Sequence, residues 1–314
     1  MKKLAFVFPG QGAQVVGMGK DFYDSFDVAK RLFAEADEAL GYSIKEMCFG
    51  GPEADLKLTA NTQPAILTVS VIIATLLKEF GVEPIVAGGH SLGEYSALVS
   101  AGVIDFQKAV LLVHKRGRYM QEAVPVGDGA MAAILGLEDS VIMSVCQLAT
   151  NEAGIVQPVN FNCPGQTVIA GTVAGVEKAV SLLQASGAKK AVILPVSAPF
   201  HSVLMKSAAT KLAGELEKTA IFDARFPIVS NYTGKVERQT EDIKQNLIKQ
   251  TDNPVKWIDC VKSMRDFGAE VFIELGPGKT LSGFNRRIDK TIKSLNVENI
   301  ETMQKTLDYL KEVS

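Results

Sequence analysis

The sequence predicts an α/β protein in which helices cover a central, mostly parallel sheet and a smaller α/β unit is inserted into the chain. Three observations lead to this prediction. Short apolar runs alternate with longer segments of helical periodicity over most of the 314 residues. Two of the apolar runs end in glycine-rich turns, at residues 9–12 and 88–93. Between residues 127 and 196 the order of the elements changes, which indicates a second unit.

The chain up to residue 126 alternates apolar runs with amphipathic segments. The predicted elements are a strand over 4–8, helices over 26–40 and 62–80, a strand over 84–87, a helix that ends at Gly102 and a helix over 106–123. Asn61 or Thr62 is expected to cap the second helix, with Gly81 just past its end. Asp105 is the expected N-cap of the last helix, because a short acidic side chain can accept from its first amides.

The inserted unit has the order strand, helix, strand, strand, helix, strand. These elements are predicted over 130–135, 138–151, 155–161, 167–170, 176–186 and 190–196. The order is that of a ferredoxin-like unit of about 70 residues. We therefore predict a ferredoxin-like inserted subdomain over residues 127–196, within a core formed by residues 1–126 and 197–314.

The chain then returns to the core. A helix over 203–217 is expected to begin at Ser202 as N-cap. It is followed by a strand over 227–230, helices over 242–249 and 255–267, a strand over 270–275, a helix over 279–288, a strand over 292–295 and a helix over 300–311.

Composition and charge exclude several classes of function. The net charge is −2, so nucleic acid is not an expected partner. The apolar stretch over 64–77 is too short to span a membrane and predicts a buried core helix instead. The four cysteines are scattered, without metal-ligand spacing, which indicates reduced thiols and no metal site. We therefore expect a cytoplasmic protein that has no membrane partner.

The strongest local pattern is Gly89-x-Ser91-x-Gly93, between the strand over 84–87 and the helix that ends at Gly102. This is the nucleophile-elbow pattern, in which a serine lies on a sharp strand-to-helix turn and the core sheet is hydrolase-like. The first amides of the helix are then free to hold a developing oxyanion. A glycine-rich structural turn is the alternative, and the pattern alone does not separate a hydrolase from a transferase.

A serine nucleophile needs a base, and the chain has three histidines. His90 is next to Ser91 and is expected to point away from it, whereas His114 lies in the middle of a predicted helix. His201 follows a strand, where catalytic residues of open α/β sheets are found, so we expect it to be the base. The acidic residues considered as its partner are Asp105, Asp128, Glu138 and Asp139. None of them convincingly follows a core strand, which suggests that another group orients the imidazole.

Several motifs occur in one order along the chain. They are Phe8-Pro9-Gly10-Gln11-Gly12-Ala13-Gln14, Gly89-His90-Ser91-Leu92-Gly93-Glu94, Arg116-Gly117, Asn160-Phe161-Asn162-Cys163-Pro164-Gly165-Gln166, Phe200-His201 and Glu274-Leu275-Gly276-Pro277-Gly278. Together they resemble the malonyl-CoA:acyl carrier protein transacylase family of type II fatty-acid synthesis. The similarity covers residues 4–295, and the family combines a hydrolase-like core with a ferredoxin-like insertion.

The resemblance implies roles for the residues around the elbow. Ser91 corresponds to the acylated nucleophile and His201 to the base. The main-chain carbonyl of Gln250 is implied to orient the histidine, which agrees with the missing carboxylate. The main-chain amides of Gln11 and Leu92 are implied to form the oxyanion hole. Because only a carbonyl of Gln250 is invoked, we expect Gln250→Ala to have a mild effect.

The resemblance also implies how the substrate is held. Arg116 would pair with the free malonyl carboxylate, for which a planar guanidinium is suited. The residues alone do not separate Arg116 from Arg118. Phe200 resembles the bulky residue associated with malonyl rather than methylmalonyl units, and His90 and Asn160 are implied to lie near the substrate.

The implied function is transfer of a malonyl group from malonyl-CoA to the phosphopantetheine thiol of acyl carrier protein through an acyl-serine. No cofactor is implied, since both thiol compounds are substrates, and we expect a monomer. Acyl carrier proteins are acidic, so Lys189-Lys190 or Arg286-Arg287 are docking candidates. The alternatives are an acyltransferase serving a polyketide synthase, a serine thioesterase or esterase, and a carrier-binding module without activity.

Overall fold

The structure, a computed structural model, describes residues 2–196 and 198–313. Within these residues it has ten strands: β1 (Leu4–Phe8), β2 (Val86–Gly89), β3 (Gly129–Leu135), β4 (Val156–Cys163), β5 (Gln166–Thr172), β6 (Lys190–Ile193), β7 (Ile228–Val229), β8 (Val236–Glu237), β9 (Val271–Leu275) and β10 (Lys293–Val297). The α/β class predicted from the sequence is confirmed.

The helices of the first half of the described chain are α1 (Lys20–Ser25), α2 (Asp27–Leu40), α3 (Ile44–Gly50), α4 (Glu53–Leu56), α5 (Thr59–Glu79), α6 (Leu92–Ser100) and α7 (Phe106–Glu122). Those of the second half are α8 (Asp139–Ala153), α9 (Val173–Ala185), α10 (Lys206–Lys218), α11 (Thr240–Asp252), α12 (Trp257–Asp266), α13 (Thr280–Ile288) and α14 (Ile300–Glu312). A 3-10 turn, Val203–Met205, precedes α10.

The core sheet has the strand order β10-β9-β1-β2-β7-β8, and all neighbours are parallel except β7 and β8. The register places Phe8 opposite Gly89, so β1 and β2 end side by side. The loop after β1 and the turn after β2 therefore lie next to each other at the carboxyl edge, where α/β proteins bind their ligands.

The inserted sheet is antiparallel and has the order β4-β5-β3-β6. This is the strand order expected of a ferredoxin-like unit, with α8 and α9 packed on it through a core of their own. The unit is also joined to the core: the amide of Phe161 donates to the carbonyl of Val255 at 3.0 Å. The amide of Val255 donates in turn to the carbonyl of Val159 at 2.8 Å. The exact limits, residues 127 and 196, remain predictions, and Ser197 lies outside the described residues.

Helix α5 differs from its prediction at its N-terminus. It begins at Thr59, and its N-cap, Leu58, offers no side-chain acceptor. The hydroxyl of Thr62 donates to the carbonyls of Leu56 and Leu58, at 2.6 and 3.1 Å, so it does not cap the helix as we expected. The side-chain amide of Asn61 likewise donates, to the carbonyl of Asp55 at 3.0 Å. The predicted caps were therefore wrong, because both side chains close the preceding turn instead.

The same helix is longer than the apolar stretch suggested. With 21 residues it is the one described helix that is long and apolar enough to cross a membrane by length and composition. Its most apolar 18-residue window is 83% buried within the protein, however, and it packs against α2, α6 and α7. Its apolar side chains thus form the centre of the larger core, as the prediction of a buried helix requires.

Short elements account for most other differences. Four elements are at most seven residues long, which is too short for a periodic hydrophobic pattern to show. They are helices α1, α3 and α4 and strand β8. Strand β2 covers Val86–Gly89 and so lies two residues later than predicted. Its last two residues are glycines that pair with β1, whereas the prediction placed them in the turn. Asp105 caps α7 as predicted and accepts from the amide of Lys108. Ser202 accepts from the amide of Leu204, but it caps the 3-10 turn Val203–Met205, and α10 begins only at Lys206, three residues later than predicted. All four cysteines are buried and free.

Candidate active site

Ser91 lies on the turn between β2 and α6 with φ 52° and ψ −103°. This is a conformation that residues other than glycine rarely adopt. Glycines make the turn possible, because a Cβ on Gly93 would overlap the carbonyl of Phe8 and a Cβ on Gly89 would overlap Gly93. The amide of Ser91 donates to Oδ1 of Asn231 at 2.7 Å. The sequence pattern thus corresponds to a real elbow.

His201 is the histidine that meets this serine. Its Nε2 lies 2.7 Å from Oγ of Ser91, and its Nδ1 lies 2.7 Å from the main-chain oxygen of Gln250. A carbonyl can only accept, so Nδ1 carries the proton and Nε2 presents its lone pair to the serine. Burial, and then the charge of Arg116, lower the pKa of His201 to about 3. The imidazole is therefore neutral at pH 7, as a base must be.

Arg116 reaches the serine from α7 and is only 1% exposed. Its Nη2 donates to Oγ of Ser91 at 3.1 Å and to Oε1 of Gln250 at 2.8 Å, and its Nη1 donates to Oε1 of Gln63 at 2.8 Å. Burial lowers the pKa of Arg116 from its ordinary value. Its hydrogen-bond partners in this set are all uncharged, so the guanidinium can take an anionic group of a substrate.

The structure separates the two arginines that the sequence left open. The side chain of Arg118 is 53% exposed and pairs with Glu122, with Nε 3.5 Å from Oε1. It lies on the outer face of α7, whereas Arg116 lies on the buried face. Only Arg116 of the two is close to Ser91.

Ser91, His201 and Arg116 line one cavity of about 110 Å³ between the core and the inserted sheet. The other residues expected at the site also line it, namely Gln11, Leu92, His90, Asn160 and Phe200. Leu92 is the first residue of α6, so its amide has no acceptor within the helix. Gln250 is not among the lining residues. It contacts the cavity only indirectly, through its hydrogen bonds to Ser91, His201 and Arg116.

Other candidates from the sequence lie elsewhere. His114 is bonded to the carbonyl of Ala60 at 2.9 Å. Of the acidic residues considered, Asp105 caps α7, and Asp139 accepts from the hydroxyl of Thr167 at 2.5 Å. Neither of them is bound to Nδ1 of His201, because that nitrogen faces the main-chain carbonyl of Gln250. The expectation that a group other than a carboxylate orients the histidine agrees with this geometry.

The sequence did not indicate four groups that complete the site. They are the side chains of Gln63, Glu94, Asn231 and Gln250. Glu94 offered one signal, a carboxylate among small and apolar residues of a predicted helix, where an acid is seldom left without partners. The other three are uncharged amides far apart in the chain, and their convergence is a property of the fold alone.

A serine hydroxyl that is hydrogen-bonded to a neutral imidazole is suited to the transfer of an acyl group through an ester on the serine. The fold and the geometry of the site therefore define a class, the serine-dependent acyl-transfer proteins. The family model described as "Acyl transferase domain" matches residues 5–308. The chain belongs to this acyl transferase family.

Similar proteins carry a more particular name. A relative from Bacillus subtilis, malonyl CoA-acyl carrier protein transacylase, is 47% identical over 312 residues, which are 99% of this chain and 98% of the relative. The crystal structure of an acyl carrier protein S-malonyltransferase from Vibrio cholerae is 47% identical and has a TM-score of 0.94, covering 97% of this chain and 100% of that one. A malonyl-transacylase solved in complex with a type II PKS acyl-carrier protein is 44% identical, with a TM-score of 0.95, covering 98% and 100%.

Proposed function

We propose that this enzyme transfers the malonyl group from malonyl-CoA to the phosphopantetheine thiol of acyl carrier protein. The observation that carries the proposal is the position of Arg116, whose Nη2 is 3.1 Å from the hydroxyl of Ser91 in the cavity that both residues line. A malonyl thioester has a carboxylate two bonds from its reacting carbonyl, so one short acyl chain can reach both groups. Full-length relatives that bear this activity in their names support the same conclusion.

In the first half-reaction Ser91 Oγ attacks the thioester carbonyl and its proton moves to Nε2 of His201. The carbon–sulfur bond then breaks, coenzyme A leaves as the thiol with that proton, and malonyl-Ser91 remains. In the second half-reaction the carrier thiol gives its proton to Nε2 and its sulfur attacks the ester. The carbon–oxygen bond to Ser91 breaks, and Oγ recovers the proton. The proton on Nδ1 stays with the carbonyl of Gln250 throughout.

The negative charge that develops on the carbonyl oxygen in each half-reaction needs hydrogen-bond donors. We assign this role to the main-chain amides of Gln11 and Leu92, two residues that line the same cavity as Ser91. Each such donor contributes about 3 kcal/mol to the stability of a transition state. The dipole of α6 adds to it, since the amide of Leu92 lies at the positive end of that helix.

The charge of the substrate also bears on the base. The charge of Arg116 is the second cause of the low pKa of His201, after burial. A malonyl carboxylate paired with Arg116 offsets that charge and so makes His201 a stronger base when the right substrate is bound. An acetyl group would leave Arg116 without an ionic partner and His201 weakly basic. Selectivity for malonyl groups thus enters both the binding and the proton transfer.

The remaining features of the site agree with this proposal. His90, Asn160 and Phe200 line the cavity and would contact the acyl chain. The proposed steps use only side chains, main-chain amides and two thiol substrates, so they call for no cofactor. The four free cysteines are typical of a reducing compartment, which supports a cytoplasmic location.

A polyketide pathway is a second candidate for the same chemistry. A structural relative was solved with a type II PKS acyl-carrier protein, so this architecture serves carriers of that kind as well. A serine thioesterase is a poorer match, because the hydrolase triad places a carboxylate on the histidine and here Nδ1 meets a carbonyl.

Intact-protein mass spectrometry tests the proposal. The protein is exposed to malonyl-CoA or acetyl-CoA, quenched and weighed, with Ser91→Ala as the control. We expect one malonyl group per chain, on Ser91, and its loss when holo acyl carrier protein is added. Carrier protein without its phosphopantetheine arm is the matched control and should remove nothing. An adduct on another residue, or none, contradicts the mechanism.

A further inference from the structure

Glu94 is a fully buried carboxylic acid that the mechanism above does not use. It lies on the first turn of α6, three residues after Ser91. Its Oε2 accepts two hydrogen bonds, from the main-chain amide of Asn231 and from Nε2 of Gln250, both at 2.9 Å. Burying a carboxylic acid is unfavourable unless hydrogen bonds compensate for the lost water. The two hydrogen-bond partners therefore indicate which parts of the site Glu94 supports.

The first partner, Asn231, holds the elbow. Its Oδ1 accepts from the amide of Ser91 at 2.7 Å, and its Nδ2 donates to the carbonyl of Gly89 at 2.7 Å. These bonds join the two sides of the strained turn, before and at the serine. Glu94 fixes the backbone of Asn231 and therefore the position from which its side chain works.

The second partner, Gln250, is bound to four residues of the site. Its main-chain oxygen faces His201, and its Nε2 donates to the carbonyl of Ser91 at 2.9 Å as well as to Glu94. With its nitrogen turned to these two acceptors, its Oε1 is turned to Nη2 of Arg116, at 2.8 Å. A flipped amide would place hydrogen-bond donors against the guanidinium, which has only donors itself.

We propose that Glu94 is a positioning residue for acyl-group selection, which orients Arg116 through the amide of Gln250 and holds Ser91 through Asn231. The inference rests on the proposed transfer of malonyl groups. Both hydrogen bonds go to one oxygen of Glu94, and its other oxygen is buried without a hydrogen-bond partner among the described residues. The role therefore depends on an acceptor at this point and not on a negative charge. A glutamine, whose amide oxygen can accept both bonds, should replace it.

The test compares Glu94→Gln with Glu94→Met, which keeps the length of the side chain but offers only a weak acceptor. Ser96→Ala is the matched control, because Ser96 is buried on the same helix and its hydroxyl has no hydrogen-bond partner within residues 2–196 and 198–313. The readout is the ratio of the rates at which malonyl-CoA and acetyl-CoA acylate Ser91, from quenched intact-mass measurements. We expect Glu94→Gln and Ser96→Ala to keep the wild-type ratio. We expect Glu94→Met to lower it roughly tenfold, because a buried donor of Gln250 loses its partner.

An unchanged ratio in Glu94→Met overturns the inference, and so does a Glu94→Gln variant that is as unselective as Glu94→Met. If thermal unfolding shows that Glu94→Met does not fold, Gln250→Met tests the same connection from its other end. It keeps the carbonyl that faces His201 and removes the amide, so the ratio should fall in the same way while Glu94→Gln stays selective. The failure of this inference can be told from the failure of the proposed function. If the wild-type protein is not acylated by malonyl-CoA, the proposed function is wrong. If the wild-type protein is acylated but Glu94→Met has the same malonyl-to-acetyl ratio, only the role of Glu94 is wrong.

Discussion

Oγ of Ser91 and Nε2 of His201 are 2.7 Å apart, and these two residues are the only non-glycine residues in the described part of the chain with a positive φ, 52° and 62°. Strained backbone of this kind persists only where the surrounding structure holds it, and it occurs mostly at functional sites. The strain here is placed on both partners of one short hydrogen bond. The fold thus tolerates an unfavourable backbone at two points in order to bring a hydroxyl and an imidazole together across 110 residues of sequence.

The first prediction concerns selection by charge. Arg116→Ala should lower the rate of Ser91 acylation by malonyl-CoA roughly a hundredfold or more, because a buried carboxylate left without its partner costs about 3 kcal/mol. Relative activity with acetyl-CoA should rise. The rates come from quenched mass spectrometry, with Arg118→Ala as the exposed control on the same helix. Equal losses with both acyl groups would mean that Arg116 does not bind the carboxylate.

The second prediction revises an expectation from the sequence. Gln250→Ala was expected to be mild because only a main-chain carbonyl is invoked, but its side chain also bonds to Ser91, Glu94 and Arg116. We now expect a loss of about tenfold in malonyl transfer, since its removal leaves buried polar groups without partners. Gln245→Ala serves as the control, because Gln245 is exposed on the same helix and its side-chain amide donates to Glu241, away from the site.

A rate for Gln250→Ala equal to that of wild type would restore the original expectation. A loss as large as that of His201→Ala would instead give the side chain a direct part in the chemistry. The steady-state rate of malonyl transfer to holo acyl carrier protein distinguishes these outcomes.

The third prediction concerns pH. A base must be neutral, and burial together with Arg116 lowers the pKa of His201 from 6.5 to about 3. The acid limb of kcat/KM, which reports the free enzyme, is therefore expected below pH 6.5. Arg116→Ala removes one of the lowering causes, so its acid limb should move to higher pH. The profile is measured with acetyl-CoA, which brings no carboxylate, and Arg118→Ala again serves as control. A limb that stays in place, or moves to lower pH, contradicts the electrostatic coupling.

The fourth prediction concerns the glycines of the fold. A Cβ on Gly93 would overlap the main-chain oxygen of Phe8, which cannot move without disturbing β1. Gly93→Ala should therefore lower the free energy of unfolding by more than about 2 kcal/mol, as overpacking against backbone does. Gly214, in the middle of α10, has open space where a Cβ would be added, with no other atom within 4 Å. Gly214→Ala should raise stability by up to about 1 kcal/mol. Urea unfolding of both variants, followed by circular dichroism, tests the contrast.

Local patterns were sufficient for the elements that have strong periodicity or clear caps. Strand β1 and the caps of α7 and of the turn before α10 agree with their predictions, because apolar runs and short polar side chains act over a few residues. The N-cap of α5 was wrong, since Thr62 can donate as well as accept and the preceding turn uses it as a donor. Helices α3 and α4 were missed because they are shorter than two full periods of the hydrophobic pattern.

At the site, the motif around Ser91 and the position of His201 after a strand could be recognised from the chain alone. Arg116 could not be separated from Arg118 without the resemblance to a known family, because both lie on one predicted helix. Positions two residues apart lie on nearly opposite sides of a helix, about 200° around its axis, and the structure shows that Arg116 takes the buried side. The roles of the site residues remain proposals that the experiments above test.

The sequence by itself determined that an α/β core carries a serine on a glycine-flanked turn, since the pattern that specifies such a turn is local. The tertiary structure decided which groups surround that serine. Asn231 and Gln250 contact it from the segment after β7 and from α11. Gln63, on α5, is bound to Arg116, which contacts the serine in turn. The physical reason is that a neutral amide adds neither a hydrophobic period nor a charge to the sequence. Its hydrogen bonds become strong only where folding removes the water around them.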